Sequence, residues 1–169
     1  MAHWSYAERV SSIERYREVV SHFATGVAVI TASGPEGAVG MTTNAFTSLS
    51  LDPLLVLVCF DRTARTLPIV RASGYFAVNV LRAHHGELSG RFASKLPAER
   101  KFDAVDYHTE HGAPVLTDAL AWLACELREL RPGGDHEIGI GAVVAMDHGD
   151  GDPLLWYRGT YTTVVRGKG

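Results

Sequence analysis

Between Gly40 and Pro53 the chain reads Gly-Met-Thr-Thr-Asn-Ala-Phe-Thr-Ser-Leu-Ser-Leu-Asp-Pro, and six of the nine residues from Thr42 to Ser50 carry a short hydroxyl or amide group. Apolar segments of strand length flank the run. Such side chains fill a core badly, because each buried hydroxyl or amide needs a partner. They suit a flat ligand with a polar edge, to which Thr42, Asn44, Thr47, Ser48 and Ser50 can offer many short hydrogen bonds while leaving the backbone approachable. A Ser/Thr-rich turn that binds nothing has the same composition, so the residues alone leave both readings open.

Other stretches could also carry chemistry. Asp61-Arg62-Thr63-Ala64-Arg65-Thr66 stands at an expected helix start, where free N–H groups, the helix dipole and guanidinium forks favour a phosphate; a solvated, capped helix start reads the same way. Gly133-Gly134-Asp135-His136-Glu137 lies between two strands. Its glycines permit a tight turn, and His136 at the strand mouth could reach a cleft as a hydrogen-bond partner or proton donor, or simply stand in solvent. Arg91-Phe92 could grip a phosphate and cover a ring, or be a surface arginine beside a core phenylalanine. Trp156, Tyr157 and Tyr161 read as core or subunit-interface residues, one of which could line a pocket.

No metal site is expected, because His84-His85 and His108/His111 lack a third ligand at suitable spacing. Asp147-His148-Gly149-Asp150-Gly151-Asp152-Pro153 faintly resembles a calcium loop but lacks its terminal glutamate. Cys59 and Cys125 sit apart in apolar runs without a CxxC, and read as two buried reduced thiols. There is no GxSxG elbow, no GxGxxG after a strand and no P-loop.

The elements that must position these residues follow from periodicity. Ser5 and Glu8 fit a capping box, and Val10, Ile13, Tyr16, Val20 and Phe23 recur at helical spacing, so a helix is expected over 5–23, ended by Gly26. Strands are expected over 27–31, 39–46, 54–60, 75–81, 121–130, 138–146, 154–157 and 160–165, with the 54–60 run buried on both faces. Short helices are expected over 63–72, with Thr63 as N-cap, and 84–93. Residues 97–114 read as an irregular surface connection and 166–169 as a frayed tail. These strands, joined mostly by short turns, do not alternate with long helices, so a closed antiparallel barrel with peripheral helices fits better than a doubly wound sheet.

With 169 residues, 46% hydrophobic and 21% charged, the chain can form one domain, 1–169, around a real core. A net charge of −3 argues against nucleic acid or an anionic membrane surface as partner. No apolar run approaches the roughly 20 residues of a membrane span, and residues 1–9 lack the apolar stretch of a signal peptide, so a cytoplasmic location is expected.

Taken in order, Phe23-Ala24-Thr25-Gly26-Val27-Ala28-Val29-Ile30-Thr31-Ala32, the Gly40–Pro53 run, Phe76-Ala77-Val78-Asn79-Val80-Leu81, Arg91-Phe92-Ala93 and Gly134-Asp135-His136 resemble the short-chain flavin reductase family, the reductase components of two-component flavin-dependent monooxygenases. The resemblance covers about residues 16–164. It implies an antiparallel split β-barrel of Greek-key type, built as a homodimer, in which NADH or NADPH reduces FMN or FAD and the reduced flavin leaves for a partner monooxygenase. Carried over by position, Thr42, Thr43, Asn44, Ala45, Phe46, Thr47 and Ser48 would cradle the isoalloxazine, with Cys59, Phe60 and Asp61 as the next wall. Arg62, Thr63 and Thr66 would hold the phosphate or ribityl chain, and Arg91 and Phe92 the phosphate or adenosine end. Gly134, Asp135 and His136 would meet the nicotinamide, with His136 positioning it and supplying a proton. The family often has Ser where this chain has Ala45 and Thr47; both are small and keep backbone contacts possible. Acidic Asp135 and Glu137 disfavour a 2′-phosphate, which points to NADH. Two other readings are a flavin- or haem-binding barrel without turnover, and a bound-flavin oxidase or reductase with its own organic substrate.

Overall fold

The structure is a computed structural model that describes residues 12–165. In chain order its elements are α1 (Ile13–Val20), β1 (Thr25–Gly26), β2 (Ala28–Gly34), β3 (Gly37–Thr43), β4 (Phe46–Leu51), β5 (Leu54–Asp61), α2 (Thr66–Ser73), β6 (Tyr75–Val80), α3 (Gly86–Ala93), α4 (Ala98–Lys101), β7 (Tyr107–Glu110), β8 (Ala113–Leu116), β9 (Ala121–Gly133), β10 (His136–His148), β11 (Leu155–Tyr157) and β12 (Thr160–Thr162). The fold is mainly β. Seven strands form one sheet in the order β3-β2-β6-β9-β10-β5-β4, every neighbouring pair antiparallel. The helices lie outside it.

Several expectations change at the element scale. A helix over Ile13–Val20 is capped by Ser12, which accepts a hydrogen bond from Arg15 N; Ser5, Glu8 and Val10 lie outside the described residues, as does the 166–169 tail. Gly26 does not end that helix but pairs in β1 with Leu155 of β11. The single strand expected over 39–46 breaks after Thr43, and Phe46–Leu51 becomes a separate edge strand on β5. Only Asn44 and Ala45 of the Thr42–Ser50 run therefore lie outside strands. The ladder with β5 pairs one edge of the β4 backbone, and Thr47 and Ser48 are exposed. Helix α2 begins at Thr66, with Arg65 at the cap position and no side-chain cap, because Thr63 is engaged with Asp61 instead. The segment 97–114, expected to be irregular, holds α4 and the β7–β8 hairpin, and β8 is buried along its whole length.

The 54–60 run is not buried on both faces. Val56, Val58 and Phe60 enter the core, while Leu55, Leu57 and Cys59 on the other face are half-buried. The core gathers Ile30, Val56, Val58, Phe60, Val70, Phe76, Val78 and Cys125. Phe60 and Phe76 meet edge to face at 6.0 Å, and close packing leaves no room for a side chain on β10: a Cβ at Gly139 would lie 2.6 Å from Phe60, and one at Gly141 2.5 Å from Phe76. Burial pushes the Cys125 thiol up to about 12. Both cysteines are free, but Cys59 is half-buried.

One buried polar group ties three strands. Asn79 of β6 donates to Val29 O and Thr31 Oγ1 of β2, both at 3.0 Å, and accepts from Leu116 N of β8 at 2.8 Å. Thr31 Oγ1 in turn donates to Pro114 O. No helix among the described residues is long and apolar enough to cross a membrane.

Candidate functional site

Strand β3 leaves the sheet edge at Thr43, and three cavities meet around the turn that follows. The first, of 580 Å³, is lined by Thr43, Asn44, Ala45, Phe46 and Thr47 from the turn and by Phe23, Thr25, Val27, Leu57, Cys59 and Val80 from the elements around it. It is the half-buried face of β5 that supplies Leu57 and Cys59. The second, of 710 Å³, lies between Met41 and Thr42 of β3, Asp61, Thr63, Arg65 and Thr66 after β5, and Phe92, Lys95 and Lys101 around α3 and α4. The third, of 180 Å³, is enclosed by Thr42, Thr43, Asn44, Ser89, Trp156 and Tyr161. Thr42 is common to the second and third, and Thr43 and Asn44 to the first and third, so the end of β3 is the wall that all three share.

Hydrogen bonds fix that wall. Thr42 Oγ1 donates to Ser89 O at 2.7 Å, and Tyr161 OH donates to Ser89 Oγ at 2.9 Å. Thr43 Oγ1 accepts from Ala45 N at 3.0 Å, Asn44 Nδ2 donates to Thr25 Oγ1 at 3.2 Å, and Cys59 N donates to Ala45 O at 3.0 Å. Several hydroxyls that the sequence offers to a ligand thus shape the turn. Burial raises the Cys59 pKa and keeps it a thiol.

The second cavity is cationic. Arg65, Lys95 and Lys101 line it against Asp61. The Arg65 guanidinium donates to Lys95 O and Leu96 O, which anchors it on the loop after α3. Lys101 is only 6% exposed, and its Nζ donates to Phe92 O at 2.7 Å and Gly40 O at 3.3 Å. Burial first, and the nearby Arg65 charge second, lower its pKa. Phe92 stacks on a bare backbone: a Cβ at Gly40 would come within 2.6 Å of its ring. Asp61 Oδ1 accepts from Thr63 N at 2.7 Å and Thr63 Oγ1 at 2.6 Å, and its pKa is lowered by the hydroxyl bond most, then the amide bond, with His136 contributing less.

The β9–β10 hairpin brings His136 beside this cavity. Gly134 adopts φ 73°, the left-handed conformation the turn requires, and His136 pairs across the ladder with Asp61. Its Nδ1 lies 2.7 Å from Asp135 Oδ1, while Arg62 N donates to Asp135 O at 3.1 Å. The imidazole hydrogen bond is the main cause of Asp135's lowered pKa.

Of the residues singled out by sequence, Thr43, Asn44, Ala45, Phe46, Thr47 and Cys59 come together in the first cavity, and Thr42, Asp61, Thr63, Thr66 and Phe92 in the second. Gly134, Asp135 and His136 stand at Asp61's end of the second. Ser48, Arg62 and Phe60 line none of the three; Phe60 is fully buried in the core. Arg91 turns away, donating to Asp103 O at 2.6 Å and facing a separate cavity of 420 Å³. Sequence reasoning did not single out Lys101, Ser89 or Phe23 as site residues. Nothing in the polar 97–114 stretch marks Lys101 apart from Arg100, since its burial comes from α4 packing on β3.

A family model described as flavin reductase like domain matches residues 20–164. Reductase subunit HsaB of a flavin-dependent monooxygenase from Mycobacterium tuberculosis (strain CDC 1551 / Oshkosh) is 38% identical over 153 residues, covering 88% of this chain and 81% of that one. A Rhizobium meliloti (strain 1021) protein is 40% identical over 149 residues, but these are 87% of this chain and 47% of the other, so the chain spans about half of that relative's length. Among solved structures, the Streptomyces globisporus C-1027 NADH:FAD oxidoreductase SgcE6, in complex with NAD and FAD fragments, superimposes with a TM-score of 0.87 at 34% identity, covering 97% of this chain and 98% of that one.

Proposed function

This chain belongs to the flavin reductase like family, and from that premise we propose that it passes hydride from NADH to a flavin whose ring lies in the 580 Å³ cavity and whose phosphate end lies in the 710 Å³ one. The observation that carries this reading is the junction at Thr42–Asn44 of an apolar-walled, polar-edged cavity with a cation-lined one. The donor set fits the two ends of FMN or FAD: Thr43–Thr47 face a polar ring edge, Leu57, Cys59 and Val80 an apolar one, and Arg65, Thr63 and Lys101 an anion. The flavin, once bound, supplies the hydride-accepting ring chemistry. The chain's part is to orient both rings at near-attack distance and exclude water. Backbone N–H groups of the Thr43–Thr47 turn stabilise negative charge on the ring's polar edge. His136 orients the nicotinamide from the Asp61 side.

Similarity to HsaB, a reductase subunit of a flavin-dependent monooxygenase, supports delivery of the reduced flavin to a partner oxygenase. We place the protein in the cytoplasm, with its sheet curled into a split barrel and two copies forming a homodimer. The test is anaerobic mixing with NADH and free FMN or FAD. The visible flavin absorption should bleach as NADH is consumed, over repeated turnovers of added flavin. NADH loss that does not depend on added flavin, or no loss with either flavin, would overturn the reading.

A further inference from the structure

His84-His85 lacks a third metal donor in sequence, and the fold supplies one. The turn from β6 to α3 sets both rings against Asp118, in the segment between β8 and β9. His84 Nε2 and His85 Nε2 each lie 3.2 Å from Asp118 Oδ2, and the three ligand atoms lie within 4.8 Å of one another. A tetrahedral ion bound at about 2.0–2.2 Å holds its donors roughly 3.3–3.5 Å apart, so both His–Asp separations are close to those of an occupied site. The carboxylate is held in place from behind. Arg82 Nε pairs with Asp118 Oδ1 at 3.0 Å, and the same guanidinium donates to the carbonyls of Asp118, Ala119 and Asp150. The loop that faintly resembles a calcium site thus wraps Arg82 instead. This arrangement leaves Oδ2 toward the imidazoles, the outer support that metal-binding carboxylates need. His84 is exposed and His85 nearly buried, and the 420 Å³ cavity beside them, which all three residues line, leaves room for an exchangeable fourth ligand.

We propose that His84, His85 and Asp118 bind a divalent ion of the zinc class, at a site separate from the flavin cavities. Two imidazoles and one carboxylate with an open position suit zinc and other first-row divalent ions such as ferrous iron, whereas magnesium and calcium take oxygen donors. Occupancy has a cost: His85 Nδ1 accepts from Arg82 N at 3.2 Å, and with Nε2 on the ion the ring proton moves to Nδ1 and that contact is given up. The bound ion cross-links the β6–α3 turn to the segment before β9.

The test is titration of the full, untagged chain with ZnCl2, followed by calorimetry and thermal melting, with CoCl2 as a spectroscopic probe. One equivalent of zinc should bind and raise the melting temperature, and cobalt should give the visible absorption of a tetrahedral nitrogen/oxygen site. His84→Ala, at an exposed side chain, should weaken zinc about tenfold or more while leaving the metal-free melting temperature and the flavin-dependent NADH consumption unchanged. Asp118→Asn should weaken zinc similarly, and His108→Ala should not. Zinc affinity unchanged in both His84→Ala and Asp118→Asn, or absence of a one-equivalent binding event in the unmodified chain, would overturn the proposal.

Discussion

Asp61 carries the carboxylate of an otherwise cationic cavity, and Thr63 controls its charge. Two hydrogen bonds from Thr63 hold its pKa below the ordinary 3.8, which favours the carboxylate form beside Arg65. The sign follows from linkage: a depressed carboxyl pKa stabilises the folded state above the ordinary value, and that contribution is lost as pH falls through the lower, folded value. Thr63→Val removes the hydroxyl bond and should move the Asp61 titration up toward 3.8 in a carboxyl NMR titration; an unchanged titration would contradict the assigned cause. Lys101 shows the opposite balance. Its ammonium is buried, yet Phe92 O and Gly40 O accept from it, which joins the end of α3 to the strand that leads into the ring cavity.

Among the elements, β6 does the most connecting, through Asn79. Asn79→Leu keeps the volume but strands Leu116 N and removes the amide donor from the Val29 carbonyl and from Thr31 Oγ1, whose own hydrogen still reaches Pro114 O. The expected loss is about 1–3 kcal/mol for a stranded buried group, read by denaturant unfolding; a loss below about 0.5 kcal/mol, as at ordinary surface positions, would show that the network is dispensable. Elements with strong local signals were legible in sequence: the β-branched β2, the Tyr75–Val80 strand, and the Gly133-Gly134 hairpin whose second glycine takes φ 73°. The edge strand β4 was not, because Thr47, Ser48 and Ser50 carry turn-like side chains and only pairing with β5 makes them extended. The face of β5 was misread because Leu55, Leu57 and Cys59 are as apolar as the core residues between them. Two of them, Leu57 and Cys59, wall the 580 Å³ cavity. Arg91 sits beside Phe92 in sequence, but a helix sends neighbouring side chains in different directions, so one faces the 420 Å³ cavity and the other packs on Gly40.

At the scale of the molecule, apolar surface is left uncovered next to the site. Helix α1 buries none of its residues, and Tyr16, Phe23 and Leu51 are 68%, 76% and 83% exposed. Phe23 also lines the ring cavity, so a second copy covering it would complete the wall. Phe23→Glu should therefore yield monomers in light scattering, with the unmodified chain expected to run as a dimer; an unmodified chain that runs as a monomer would contradict the proposed homodimer. The central claim is that two adjoining cavities hold the two ends of one flavin, and Arg65→Ala tests it most directly through the affinities for FMN and riboflavin, which differ only by the phosphate. FMN should weaken about tenfold or more, the loss of a charge-assisted hydrogen bond of about 1.5–3 kcal/mol, while riboflavin stays within about twofold. Equal weakening of both, or no change in either, would contradict the division of the site.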